Sequence, residues 1–153
     1  MKNTETRYTL KSKLHNLNLP TSQIVVCDEA GSLTAGAILR SQISFMRKGP
    51  KSGVAICVHS TQLFIKSISA LDGQVGKLLL LSPELSVAII QDLMSRAGIN
   101  DLITDSPQLS SIASHWRTFE NAQDEHPLCQ TEWLLTTSGT TSLPKIIDRK
   151  SVV

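Results

Sequence analysis

Unbroken apolar runs alternate along this chain with stretches whose apolar residues recur every three or four positions, and few architectures accept that alternation. Val54-Ala55-Ile56-Cys57-Val58 and Leu78-Leu79-Leu80-Leu81 have no polar residue to turn toward water. A strand of that kind is buried on both faces, as in a parallel sheet covered by helices on each side. Between and after them, Leu63, Phe64, Ile68 and Leu71, then Val87, Ile90, Leu93, Met94 and Ala97, fall on single helical faces. The spacing predicts helices over 60–72 and 82–96, the second opened by Ser82-Pro83-Glu84, carrying an Asp92/Arg96 pair one turn apart and closed by Gly98.

The same reading extends to the flanks. Ile24-Val25-Val26-Cys27 is expected to be a first strand covered on both faces, and 34–48 an amphipathic helix closed by Gly49-Pro50. Brief strands follow at 102–104 and 133–136, separated by a polar connection with a short helix near 109–116. Residues 1–23 are polar with scattered leucines, enough for one short helix before Pro20. The fold class is therefore α/β, with a largely parallel sheet and helices on both faces.

Composition excludes several functions. The 153 residues are 41% apolar, ample for a core, and the net charge of +2 is spread without aromatic interleaving, so nucleic acid is not an expected partner. The apolar runs are too short to span a bilayer and the first nine residues have no signal-peptide core, so no membrane is expected and the cytoplasm is the default location. Cys27, Cys57 and Cys129 lack metal-ligand spacing; Cys27 and Cys57 read as reduced core residues, and no metal site is expected among the cysteines and the four isolated histidines. Asp28-Glu29 invites comparison with the acidic pair of phospho-receiver domains. That comparison fails because the run at 78–81 ends in Ser82 instead of an aspartate, and the pair reads as a turn acid and its solvated neighbour.

Chemistry concentrates in one place. Directly after Trp133-Leu134-Leu135, the string Thr136-Thr137-Ser138-Gly139-Thr140-Thr141-Ser142-Leu143-Pro144-Lys145 sets hydroxyls around one glycine, five of them between Thr137 and Ser142, and closes with proline and lysine. A glycine lets successive N–H groups converge on an anion, the hydroxyls add donors, and the lysine adds a full charge. The nucleotide loop Gly-x4-Gly-Lys is absent, since Pro144 stands where its second glycine belongs.

The string resembles the phosphate-binding loop of the AMP-forming adenylate-forming enzymes: acyl- and aryl-CoA synthetases, peptide-synthetase adenylation domains and luciferases. Their pattern is Thr-Ser-Gly-(Ser/Thr)-Thr-Gly-x-Pro-Lys-Gly. Thr137, Ser138, Gly139, Thr140, Thr141, Pro144 and Lys145 match it, while Ser142 and Ile146 replace glycines. The resemblance implies that 24–147 is an incomplete N-terminal part of the adenylate-forming large domain, behind a polar segment at 1–23. It implies ATP and a carboxylic acid as substrates, Mg2+ as the accompanying ion, and CoA or carrier-protein pantetheine as the later acceptor. In that family the carboxylate attacks the α-phosphate and pyrophosphate leaves. By the same resemblance Thr137, Ser138, Gly139, Thr140 and Thr141 would hold the β- and γ-phosphates, and Lys145 would be the catalytic cation.

The family's enzymes continue for a few hundred residues past this loop, so the isolated chain is expected to be an inactive fragment of an acid–thiol ligase. Asp148-Arg149-Lys150-Ser151-Val152-Val153 translates GAT CGG AAG AGC GTC GTG, a string found in a widely used sequencing adapter, and 148–153 is expected to be a non-native read-through tail. The alternative is a non-enzymatic α/β nucleotide- or anion-binding module complete at this length.

Overall fold

A computed structural model describes residues 8–44, 48–120, 127–137 and 144–149. The chain opens with α1 (Leu10–Asn16), capped by Thr9, whose hydroxyl accepts from Ser12 N while the Ser12 hydroxyl returns the bond. β1 (Ile24–Asp28) and β2 (Gly31–Thr34) form an antiparallel hairpin of their own. Here the structure corrects the sequence reading, because β1 is not a core strand. The turn at Asp28 sends the chain straight back, and two strands cannot cover each other's faces, so Ile24, Val25 and Cys27 stay exposed. Asp28 does act as the turn acid, accepting from Ala30 N at 2.9 Å and from Gln62 Nε2 at 2.8 Å.

The helix expected over 34–48 is cut short. α2 (Ala35–Arg40) ends after six residues and the chain extends into β3 (Ser41–Ser44). Ile43 is buried there and pairs with Thr118 of β7 (Arg117–Glu120), a long-range partner that overrides the local period.

The centre follows the predicted alternation. β4 (Gly49–Cys57), α3 (Thr61–Leu71), β5 (Val75–Leu80), α4 (Val87–Ala97) and β6 (Asp101–Thr104) occur in that order. α4 starts later than expected. Ser86 supplies its cap, while Ser82, Pro83 and Leu85 form a separate turn; Gly98 ends it in the left-handed conformation with φ 67°. After β6 the chain makes a 3-10 turn at Pro107–Leu109 in place of the helix near 109–116, then β7. β8 (Glu132–Thr137) and β9 (Lys145–Arg149) complete a five-stranded sheet in the order β6-β4-β5-β8-β9. Its first three pairings are parallel, and β8–β9 is antiparallel.

Both faces of the central strands are buried, and alternate side chains serve different helices. Val54, Ile56, Leu78 and Ile103 join Ala70 and Leu71 of α3. Ala55, Cys57, Leu79, Leu102 and Leu134 join Ile90, Leu93, Met94 and Ala97 of α4. Period-two alternation along each strand thus feeds two cores, which is why these runs contain no polar residue. Close approach decides one glycine: a Cβ at Gly76 would collide with the Pro50 carbonyl on β4.

Candidate functional site

Because β4 leaves the sheet toward α3 and β5 toward α4, the carboxyl ends of these parallel strands open onto a divide between connections, the usual place for ligands in such sheets. β8 is parallel to β5 and ends at the same side with Thr137. β9 then returns antiparallel, with Lys145 directly opposite Thr137. The hydroxyl-rich loop is therefore held at both ends by one cross-strand pair, and the Thr137 hydroxyl reaches the Lys145 carbonyl at 3.5 Å.

Of the residues expected to bind phosphate, the structure brings Thr137 and Lys145 together, both exposed. Ser138, Gly139, Thr140 and Thr141 lie outside the described residues. Trp133 packs with the α3 core and Leu134 with the α4 core, so alternation places Thr137 and Lys145 on the α3 side with Leu135 and Ile147. Ile146, which replaces a glycine of the family pattern, faces the other way and packs against the α4 core in extended conformation. Positive φ is not needed there; among the described non-glycine residues only Asn18 has it. Arg96 of α4 lies 3.5 Å from the Pro144 carbonyl and 3.4 Å from Asp92.

A second polar group at the same end was not legible in the sequence. Asp105, just past β6, accepts from His59 N at 2.9 and 3.1 Å and from Ser60 N at 2.9 Å, and its Oδ1 lies 3.4 Å from His59 Nδ1. It thereby fastens the carboxyl end of β6 to the loop between β4 and α3. Ser60 caps α3 through Leu63 N, and Asp105 adds an anion at the same helix start. Partial burial works to raise the Asp105 pKa, but the bonds from His59 N–H, Ser60 N–H and the His59 ring outweigh it and hold the carboxyl below its usual range. Cys57, beneath this group, is pushed up to about 11 by burial, with the Asp105 charge adding to the effect. Such a thiol stays protonated and is not a nucleophile.

Among the described residues no group of three or more His, Cys, Asp or Glu could hold a metal ion, and no helix is long and apolar enough to cross a membrane.

No family model and no curated protein matches the sequence. Solved structures do match the fold. o-Succinylbenzoate CoA synthetase (MenE) from Bacillus subtilis, in complex with the acyl-adenylate intermediate OSB-AMP, superposes with a TM-score of 0.60 at 21% identity, over 88% of this chain and 40% of that one. The N-terminal subdomain of Klebsiella oxytoca NpsA, in complex with 3-hydroxyanthranilyl-AMSN, gives 0.64 at 15% identity, over 93% of this chain and 40% of that one. VinN gives 0.55 at 14% identity, over 93% of this chain and 44% of that one. The chain thus spans about 40% of the length of the MenE and NpsA structures. Its fold is that of the N-terminal portion of the AMP-forming adenylate-forming enzymes.

Proposed function

We propose that this chain is the N-terminal part of an ATP-dependent carboxylate-adenylating ligase of the acyl-CoA synthetase kind, and that it carries the phosphate loop. The observation that supports this reading is the Thr137–Lys145 pair, which brackets the hydroxyl-rich loop at the carboxyl end of a parallel strand. Two of the matched MenE structures hold the acyl-adenylate intermediate OSB-AMP and AMP. In the parent enzyme a carboxylate would attack the α-phosphate of ATP, pyrophosphate would leave, and CoA or a carrier-protein pantetheine would take the acyl group.

The residues of this chain would bind and position. Thr137, Ser138, Gly139, Thr140 and Thr141 would offer hydroxyl and amide donors to the β- and γ-phosphates, and Lys145 would offset the negative charge that grows on departing pyrophosphate. These donors suit a polyphosphate and include no carboxylate, so Mg2+ would arrive with the nucleotide and share in neutralising it. We place the partial domain at 24–147, behind the segment 1–23, with 148–153 a non-native tail and the parent protein in the cytoplasm. Codons for 148–153 other than the adapter string would remove that last boundary.

Calorimetric titration of the 153-residue chain with MgATP and with pyrophosphate tests the loop. Lys145→Ala removes one exposed charged contact, worth about 1–2 kcal/mol or about five- to thirtyfold in affinity. Equal affinity of the two proteins would refute the assignment of Lys145. Tight binding together with ATP turnover by the isolated chain would refute its being a part only.

A further inference from the structure

The lysine that opens β9 lies between two points tied to α4. On one side of it Ile146 packs against the α4 core; on the other the Pro144 carbonyl accepts from the Arg96 guanidinium at 3.5 Å, across 48 positions of chain. Arg96 stands in the last turn of α4 and also donates to Asp92, one turn back, at 3.4 Å. The negative helix end and Asp92 account for a cation at this position. Neither requires it to reach the head of β9.

Proline gives that reach its leverage. The ring locks φ, so ψ is the one soft torsion left at residue 144, and ψ decides where the carbonyl points. The same carbonyl shares a rigid plane with the Lys145 N–H. A guanidinium that holds the oxygen therefore fixes the peptide plane from which Lys145 springs, while Ile146 and the pairing with Thr137 fix the strand beyond it. Arg96 approaches from the α4 side, whereas the Lys145 side chain leaves exposed on the α3 side with Thr137.

We propose that Arg96 is a positioning residue for phosphate binding: it acts through the Pro144 carbonyl to hold Lys145 beside Thr137, and does not itself touch the ligand. This rests on the reading of Lys145 as a phosphate-binding cation. Holding the cation in place before the anion arrives lowers the ordering cost of binding, so the contact contributes to affinity from a distance.

Two measurements on the 153-residue chain test this. Without ligand, the nitrogen chemical shift of the Lys145 amide reports whether the carbonyl bonded to it has a donor. Arg96→Ala should move that resonance, and Arg96→Lys, which keeps a charged donor, should return it toward the wild-type position. The Arg96 side chain is 45% exposed, so both variants should fold. With pyrophosphate as the probe, calorimetric affinity should fall about two- to fivefold in Arg96→Ala and largely recover in Arg96→Lys. A weakened affinity with an unmoved Lys145 nitrogen would mark Arg96 as a through-space charge only and overturn the proposal. Wild-type affinity in Arg96→Ala would overturn it too, while leaving the phosphate reading of Lys145 intact. Failure of the wild-type chain to bind pyrophosphate would remove both.

Discussion

Replacing Asp105 by alanine removes the tie between the carboxyl end of β6 and the start of α3. Two backbone donors, His59 N and Ser60 N, lose a charged acceptor at 2.9 to 3.1 Å. Loss of a helix-start acceptor costs about 0.5–2 kcal/mol, and a bond to a charged group about 1.5–3 kcal/mol. The Asp105 side chain is 26% exposed and that of His59 57%, so water partly replaces what is lost, and Ser60 still caps Leu63 N. The net expectation is ~1–2 kcal/mol. In urea this lowers the unfolding midpoint by about 0.5–1 M with an unchanged slope. Asp105→Asn retains one acceptor oxygen and should fall between wild type and alanine.

The pH dependence supplies a second, independent reading of the same group. Because the folded-state pKa of Asp105 is lowered, its contribution is present above 3.8 and disappears as pH falls through the folded value. The alanine variant should therefore lose less stability than wild type on acidification below 3.8. An unchanged urea midpoint in Asp105→Ala, or an acid response identical to wild type, would show that the carboxylate does not carry this junction.

Two further expectations concern the sheet and the cysteines. Gly76→Ala drives a Cβ into the Pro50 carbonyl and pushes β4 from β5 at their amino ends, so a cost of about 1–3 kcal/mol is expected, read as a drop in thermal midpoint; an unchanged midpoint would mean the strands separate freely. With a thiol-specific reagent, Cys27 should react in the native protein, whereas buried Cys57 and Cys129 should react only on unfolding.

The amino-acid sequence alone determined the two-core centre of this protein. β4, β5, β6, α3 and α4 announce themselves because burial on both sheet faces removes polar residues from a strand, and burial on one helix face repeats every three to four residues; both constraints are local and survive in the string. The hydroxyl-rich run after Leu135 was legible for the same reason, as a composition no core strand would carry. Tertiary structure decided the rest. Ile24-Val25-Val26-Cys27 has the look of a covered strand, yet among the described residues it pairs with β2 alone, in a two-stranded hairpin that leaves Ile24 and Val25 exposed. Pairing with β7 turned the end of the expected helix into β3, and the return of β9 set Lys145 opposite Thr137. Asp105 found His59 and Ser60 across more than forty positions of chain. Each of these depends on which distant backbone or carboxylate arrives alongside, and no local period records that.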